Sequence, residues 1–528
     1  MIAAEPDYKL LYEQSQKLYE QSQQNLAQTQ QQLRLALLDA NELRRKLFGI
    51  KSDNRVKKAV EGQLDLFPLG ATQQDQQISE ELAAREADDS NLEQDRQAQK
   101  RQKSAASRPR MVLPESLERE ELTLDPDGDL SDYKVIGQEV TEVLVMVPAS
   151  FKAVRRAVRR IIRRKWALKD PVQSDRKGVL IAPIPSRTIK RGLFDESVLA
   201  HLLTSKFVDH LPLYRQKQIF ERIGLKIPPS TLTDNTNAAC KALEPIYNAL
   251  RREALANLYL QVDETRLQVL ENDGKKGTSH RGFLWTYHAP VDGLVFFDYQ
   301  KGRDKTGPEK ILRDFQGVVQ TDAYTVYQSV LGKNEAIQHY YCMAHIRRKF
   351  DEAVNYDKDR ATWAVDTIAQ LYKIEKDIRE AEPAMTESQI VEKRMREALP
   401  ILTQLKEWMQ QEYPRVLPGS PIGKAMAYAL PLMDNMKFYT LHGELQIDNN
   451  LIENAIRPVA LGRKNYLFAG THDTAQNAAM IYSLFATCKK HEVNPQEWLL
   501  DVLRKMNDPN YEGKFSDLLP HRWRKNFS

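Results

Sequence analysis

Cysteine is scarce in this chain of 528 residues: Cys240, Cys342 and Cys488 are the only three, and none stands in a C-x-x-C pair. A disulfide framework is excluded, and zinc is not expected. Long apolar runs are missing as well. The longest, 143–147 and 179–182, fall far short of the roughly 18 to 20 residues a membrane-spanning helix needs, so no membrane partner is expected. The first residues carry no basic stretch followed by an apolar one, which leaves the cytoplasm as the expected location. Proline and glycine are absent from 8–48, and aromatics are nearly absent from 68–110.

What is present is enough for two to four domains with real cores, since 41% of residues are hydrophobic and 28% charged. The net charge of +5 is a mild bias, but it is unevenly spread. Residues 8–48 read as one helix rich in Gln, Leu and Glu. LYEQSQK at 11–17 is followed by LYEQSQQ at 18–24, which sets Leu11 and Leu18 on one seam. Leu26, Leu33, Ala40 and Leu47 continue at the same spacing after a slip of one residue. The spacing predicts a coiled coil and self-association, against a solvated polar helix with scattered leucines. The polar stretch that follows, to about Arg110, reads as a linker.

Between 151 and 166 stand eight cations: Lys152, Arg155, Arg156, Arg159, Arg160, Arg163, Arg164 and Lys165. Phe151, Val154, Val158, Ile161 and Ile162 among them have helical spacing, so periodicity alone predicts a basic amphipathic helix. The run points to a phosphate backbone, with a solvated face as the plain alternative. Residues 213–225 and 230–243 read as two helices around a turn with Gly224 and two prolines, the second capped by Ser230. That is a helix-turn-helix pattern with Arg215 and Lys217 on its first helix, although ordinary paired helices give it too.

From 258 to 341 the pattern changes to three strands, a helix, a strand, a helix and a strand, the order of an RNase H-like fold. Asp263 and Asp322 then close the first and fourth strands. Carboxylates at the ends of adjacent parallel strands repel one another unless a divalent cation stands between them. Magnesium favours carboxylate and water oxygens, and two ions about 3.5 to 4 Å apart can serve both the attacking and the leaving oxygen of a phosphoryl transfer. Singly, each aspartate is as easily a helix cap or turn residue. The third candidate is Glu453 in Asp448-Asn449-Asn450-Leu451-Ile452-Glu453-Asn454-Ala455-Ile456-Arg457-Pro458. Here Asp448 reads as the helix cap and Pro458 as the bend or end of the helix. Glu453 and Arg457 share a helix face, so one can hold metal while the other meets phosphate, or the two form a surface ion pair. Arg463 and Lys464 beside Tyr466 suit a strand-binding groove. Cys342 and His345 are half of a zinc pattern with no second half; His345, Arg347 and Lys349 near DNA or the scissile phosphate is the alternative to plain packing.

These motifs together resemble the transposases of the IS66 insertion-sequence family. The resemblance runs through LRRKLFGIKSDN, DHLPLYRQKQIFERIGLKIPPSTL, VDET, QTDAYTVY, CMAHIRRKF, IDNNLIENAIRPVALGRKNYLFAGT and AAMIYSLFATCK, and the IDNN block is its most specific part. It implies an acidic triad at Asp263, Asp322 and Glu453, two Mg²⁺ or Mn²⁺ ions, and DNA as partner, both terminal inverted repeats and target. Glu264, Asp448 and Asp292 are the rejected neighbours. Small accessory proteins from the same element, and a nucleoid location on DNA, follow from the same resemblance. Members often carry a cysteine-rich zinc ribbon where this chain has its basic run. The resemblance implies hairpin strands there, and strands are the expectation taken.

The expected organisation is α/β and multidomain. A coiled coil at 1–50, a linker at 51–110, a small basic β-containing domain at 111–190 and a helix-turn-helix-like region at 191–250 precede an RNase H-like core at 251–480. That core holds an all-helical insertion at about 344–440, and a helical tail fills 481–528. The activity implied is metal-dependent strand cleavage and strand transfer. Two rivals are a catalytically inactive DNA-binding regulator and a nuclease without strand transfer.

Overall fold

The computed structural model describes residues 113–524, except 114, 116, 147–155, 170–178, 191 and 272–278. The expected coiled coil and linker, and with them Arg155, lie outside the described residues. The fold is mixed α/β. Among the described residues no helix is long and apolar enough to cross a membrane.

The chain enters through β1 (Glu118–Leu124), β2 (Tyr133–Met146), β3 (Arg156–Leu168) and β4 (Val179–Ile181). β3 is central, parallel to β1 and antiparallel to β2, and β4 joins its far end. The basic run is therefore a strand from Arg156 onward, and the helical periodicity misleads. The reason is that both faces of β3 are partly covered. Val158 packs into the main core while Ile161 packs with Val143 and Val145 on the other face, which blurs the alternation a one-sided strand would have. The neighbouring strands supply acids for its cations. Arg159 pairs with Glu120 at 3.3 Å, Arg160 with Glu121 at 3.0 Å, Arg163 with Glu139 at 2.5 Å, Arg164 with Asp125 at 3.4 Å and Lys165 with Glu139 at 2.8 Å.

Four helices follow: α1 (Glu196–Phe207), α2 (Leu213–Arg222), α3 (Pro229–Ala242) and α4 (Glu244–Leu255). Asp195 caps α1 by accepting from Ser197 N at 3.0 Å. Gly224, at φ 86°, turns the chain between α2 and α3. Pro228, not Ser230, is the cap residue of α3, and Ser230 already lies in its first turn.

The main sheet has the order β7-β6-β5-β8-β9, built from β5 (Tyr259–Val269), β6 (His280–Ala289), β7 (Leu294–Gln300), β8 (Gly317–Thr321) and β9 (Ile337–Tyr341). α5 (Thr306–Leu312) and α6 (Thr325–Leu331) connect the last three strands. β5, β6 and β7 are antiparallel, whereas β8 and β9 run parallel to β5. Gly317 opens β8 at φ 134° against the Leu258 carbonyl, where a Cβ would collide. β5 does not end at Asp263, as the sequence pattern implied, but continues to Val269 because β6 accompanies it the whole way.

Residues 343–441 are helical: α7 (Met343–Ala353), α8 (Lys358–Arg379), α9 (Glu387–Lys393), a π turn (Arg394–Ala398), α10 (Leu399–Glu412), α11 (Pro421–Ala429) and short turns to Leu441. They enclose a second apolar core around Phe350, Ile368, Leu371, Leu405 and Met426, which reaches the sheet through Tyr259, Tyr340 and Tyr341. The chain returns to the main core in α12 (Asn450–Tyr466), α13 (His472–Lys490) and α14 (Pro495–Asn507). Pro458 does not end α12. The carbonyl it deprives of a donor belongs to Asn454, which is exposed and can meet water.

Candidate active site

Gln261 on β5 and Gln320 on β8 are the last partners in the parallel register of these strands. Two residues beyond each stands an aspartate. Asp263 is on β5, and Asp322 follows the end of β8 directly. Glu453 lies in the first turn of α12, so the three carboxylates come from three separate segments.

The charges of Asp322 and Glu453 both reach Asp263. Loss of water around it pushes the half-buried Asp263 carboxyl well above the ordinary carboxylate range, and the charges of Glu264, Asp322 and Glu453 push the same way, against one N–H donated by Glu264. Asp322 Oδ1 accepts from Tyr324 N at 3.0 Å. His345, on α7, feels both other carboxylates. Burial lowers its pKa, the charges of Asp322 and Glu453 oppose that, and its buried Nδ1 has no hydrogen-bond partner.

Among the described residues no three His, Cys, Asp or Glu side chains close around a single point. Magnesium and manganese take one or two protein carboxylates and fill their remaining places with water and phosphate oxygens. The donors are hard oxygens, and a divalent cation would relieve the repulsion felt at Asp263.

The rejected neighbours are otherwise engaged. Glu264 points away from Asp263 across the strand. Its side chain, 3% exposed, binds Arg303 Nε at 2.7 Å and Tyr327 OH at 2.5 Å. Asp448 is not the cap residue of α12, which is Asn449; its carboxylate accepts from Asn450 N and Nδ2 at 3.0 and 2.7 Å. Asp292 is exposed in the turn between β6 and β7, and its backbone carbonyl, not its carboxylate, meets His491 Nε2 at 3.0 Å. Cys342 is buried, and its sulfur accepts from Asn449 N at 3.2 Å.

The cations expected at DNA divide into two groups. Arg215, Arg347, Arg457 and Lys464 are exposed. Lys217 pairs with Glu221 at 3.1 Å and Lys349 with Glu352 at 3.3 Å. Arg463 ties α12 to β5, donating to Thr265 Oγ1 at 3.0 Å and to the Arg266 carbonyl. Of Arg156 only its backbone place in β3 is described, and the remaining β3 cations face the acids of β1 and β2 named above.

Sequence reasoning missed two arginines. Arg348 stands beside Glu453, and Arg303 lies 3.9 Å over the Tyr324 ring while feeling the charge of Asp322. It also missed Gln261 and Gln320, although Gln-Val-Asp and Gln-Thr-Asp are a repeated signal at the ends of two predicted strands.

Comparison with known proteins gives three family matches. Residues 191–477 match the "Transposase IS66 family", 483–521 the "IS66 C-terminal element" and 27–122 the "Transposase C of IS166 homeodomain". Two proteins of Sinorhizobium fredii are similar. "Uncharacterized protein y4hP" is 27% identical over 518 residues, 92% of this chain and 88% of its own. "Uncharacterized protein y4qI" is 30% identical over 420 residues, 76% of this chain and 75% of its own.

Proposed function

The chain belongs to the IS66 family of transposases, and we propose that it binds the terminal inverted repeats of its element, cleaves there, and joins the freed end to target DNA. In cleavage a water oxygen attacks the scissile phosphorus, the bond to the 3′ oxygen breaks, and a 3′-OH is left. In joining, that hydroxyl attacks a target phosphate and displaces its 3′ oxygen.

The observation that carries this reading is the placement of Asp263 and Asp322 two residues beyond the paired Gln261 and Gln320 of adjacent parallel strands, with Glu453 near enough for its charge to act on Asp263. The strand order, with two aspartates on adjacent parallel strands, supports an RNase H-like core. Asp263, Asp322 and Glu453 would hold two Mg²⁺ or Mn²⁺ ions. Such ions, when bound, supply Lewis-acid stabilisation of the charge that builds on the phosphate. The protein's own task is placement, since phosphoryl transfer depends mainly on positioning and electrostatics. His345, Arg347, Arg348, Lys349, Arg457 and Lys464 meet the DNA near the scissile phosphate, and Arg463 holds α12 on β5. The exposed Arg215, with Lys217, serves the repeats through α2. The β3 arginines must exchange carboxylates for phosphates to contribute. Self-association through residues 1–50 would bring two DNA ends together, with small accessory proteins as further partners.

The test is Mg²⁺-dependent cleavage of the DNA flanking the gene, wild type against Glu453→Gln. Cleavage at an inverted repeat that vanishes in the variant, with joined products from the wild type, supports the proposal. Cleavage without joining would mean a nuclease, and binding without cleavage by either protein would mean a regulator.

A further inference from the structure

Gln261 and Gln320 are fully buried, and an amide in that position is costly unless every donor and acceptor is met. Gln261 Nε2 donates to Gln320 Oε1 at 2.9 Å and reaches the Asp448 carbonyl at 3.0 Å, while Gln320 Nε2 donates to the Gln446 carbonyl at 2.9 Å. Tyr340 OH donates to that same carbonyl at 2.8 Å, and Tyr259 OH accepts from Gln446 N at 3.3 Å. His288 Nδ1 lies 3.1 Å from Gln261 Oε1.

Residues 446–448 are the last stretch of chain before α12 and Glu453. β5 and β8 thus grip this stretch through side chains two residues before the aspartates. A glutamine fits where other residues would not. It accepts from one neighbour and donates to the next, whereas a carboxylate would add to the repulsion and an apolar chain would take the Gln261 donor from the Asp448 carbonyl and leave that of Gln446 to Tyr340 alone. Displacing 446–448 would take its acceptor from Gln320 Nε2 and one of three from Gln261 Nε2, which keeps Gln320 Oε1 and Tyr259 OH.

We propose that Gln261 and Gln320 are a positioning pair that fixes Glu453 relative to Asp263 and Asp322 and thereby sets the affinity for divalent metal. The inference rests on the reading that these three carboxylates hold metal. Partners of this outer kind carry about 10- to 100-fold of metal affinity where they have been removed.

The test uses the full-length chain, freed of metal, with two readouts. One is Mn²⁺ binding, followed by the electron paramagnetic resonance signal of the free ion; the other is amide hydrogen exchange of residues 446–453. The variants are Gln261→Leu, Gln320→Leu and Tyr340→Phe. The last removes one hydroxyl and little volume, so it keeps the test open if a glutamine variant does not fold. In folded variants Mn²⁺ affinity should fall about tenfold and 446–453 should exchange faster, with β6 and β7 as protected as in the wild type. Wild-type Mn²⁺ affinity in a folded glutamine variant, or in Tyr340→Phe where neither glutamine variant folds, would overturn the inference, whether or not exchange rises. Asp322→Asn separates the two levels. If it binds Mn²⁺ like the wild type, or if neither binds, the carboxylate reading itself is wrong and the pair has no metal site to set.

Discussion

The guanidinium of Arg348 stands 3.9 Å from the carboxylate of Glu453, with the two side chains 54% and 36% exposed. A pair so open to water contributes little to stability, under about 1 kcal/mol. On the proposed function Arg348 meets DNA instead. Arg348→Ala should leave the melting temperature unchanged and lower the slope of log affinity against log salt by about one unit. An unchanged slope for binding to the terminal repeat would remove Arg348 from the DNA contacts.

Asp263 is held against burial and three neighbouring negative charges, so the folded protein bears a cost wherever this carboxyl is ionised. Asp263→Asn should therefore melt higher than the wild type in EDTA at neutral pH. Added Mg²⁺ should raise the wild-type melting temperature and not that of the variant. Cleavage should fall at least about 100-fold with binding of the repeat retained. Calorimetry with and without metal reads the first two effects together.

Glu264→Gln separates the neighbour from the triad. It loses the charge-assisted bond to Arg303, which should destabilise by about 2 kcal/mol. The metal concentration needed for half-maximal cleavage should stay at its wild-type value. A shift in that concentration would make Glu264 a ligand.

Within the helical insertion, Arg394 grips Glu375 with Nε and Nη2 at 2.9 and 2.7 Å and reaches the His442 carbonyl at 2.6 Å, both side chains almost fully buried. Arg394→Met leaves a bare carboxylate inside and should cost about 3 to 5 kcal/mol in denaturant unfolding. The double change with Glu375→Leu should recover most of it. If the double variant is as weak as the single one, the bonds from Arg394 to the backbone matter more than the pair.

Burial holds the imidazoles of His288 and His339 down at about 3 and about 4, from 6.5. In the unfolded chain each is protonated as pH falls past 6.5, but in the folded chain only near those lower values. The unfolded state therefore binds more protons in between, and stability present above pH 6.5 is lost as pH drops toward 4 and then 3. The urea midpoint should decline over that window, and His339→Gln should flatten the decline. Parallel curves for the two proteins would contradict this.

The strand sequence around the site was legible because β6 and β7 are apolar on both faces and bounded by Pro290 and Gly293, and because IDNNLIEN is so dense. The extent of β5 was not. Its second half, Glu264–Val269, alternates polar and apolar residues as an edge strand would, and only pairing with β6 and the contact of Val269 with Ala469 reveals its continuation. The strand expected at the basic run rested on the resemblance, because cover on both faces of β3 hides the alternation from periodicity, and arginines against acids of other strands look the same in sequence as arginines against water. Gln261 and Gln320 carry no signal of burial in their residue type. Their partners, Gln446 and Asp448, are 126 and 187 residues away.

That separation bears on how the protein is made. The bond from Gln261 to the Asp448 carbonyl closes a loop of 187 residues that contains the whole helical insertion with its own core. Contacts this remote are slow to form and follow the local ones. In a nascent chain the insertion can gather its own core first, whereas the sheet β5 to β9 receives the rest of its core, and the third acid, only when α12 to α14 emerge. On the proposed function, a chain halted after the insertion and before Glu453 would hold two of the three acids and should not cut the ends of the element.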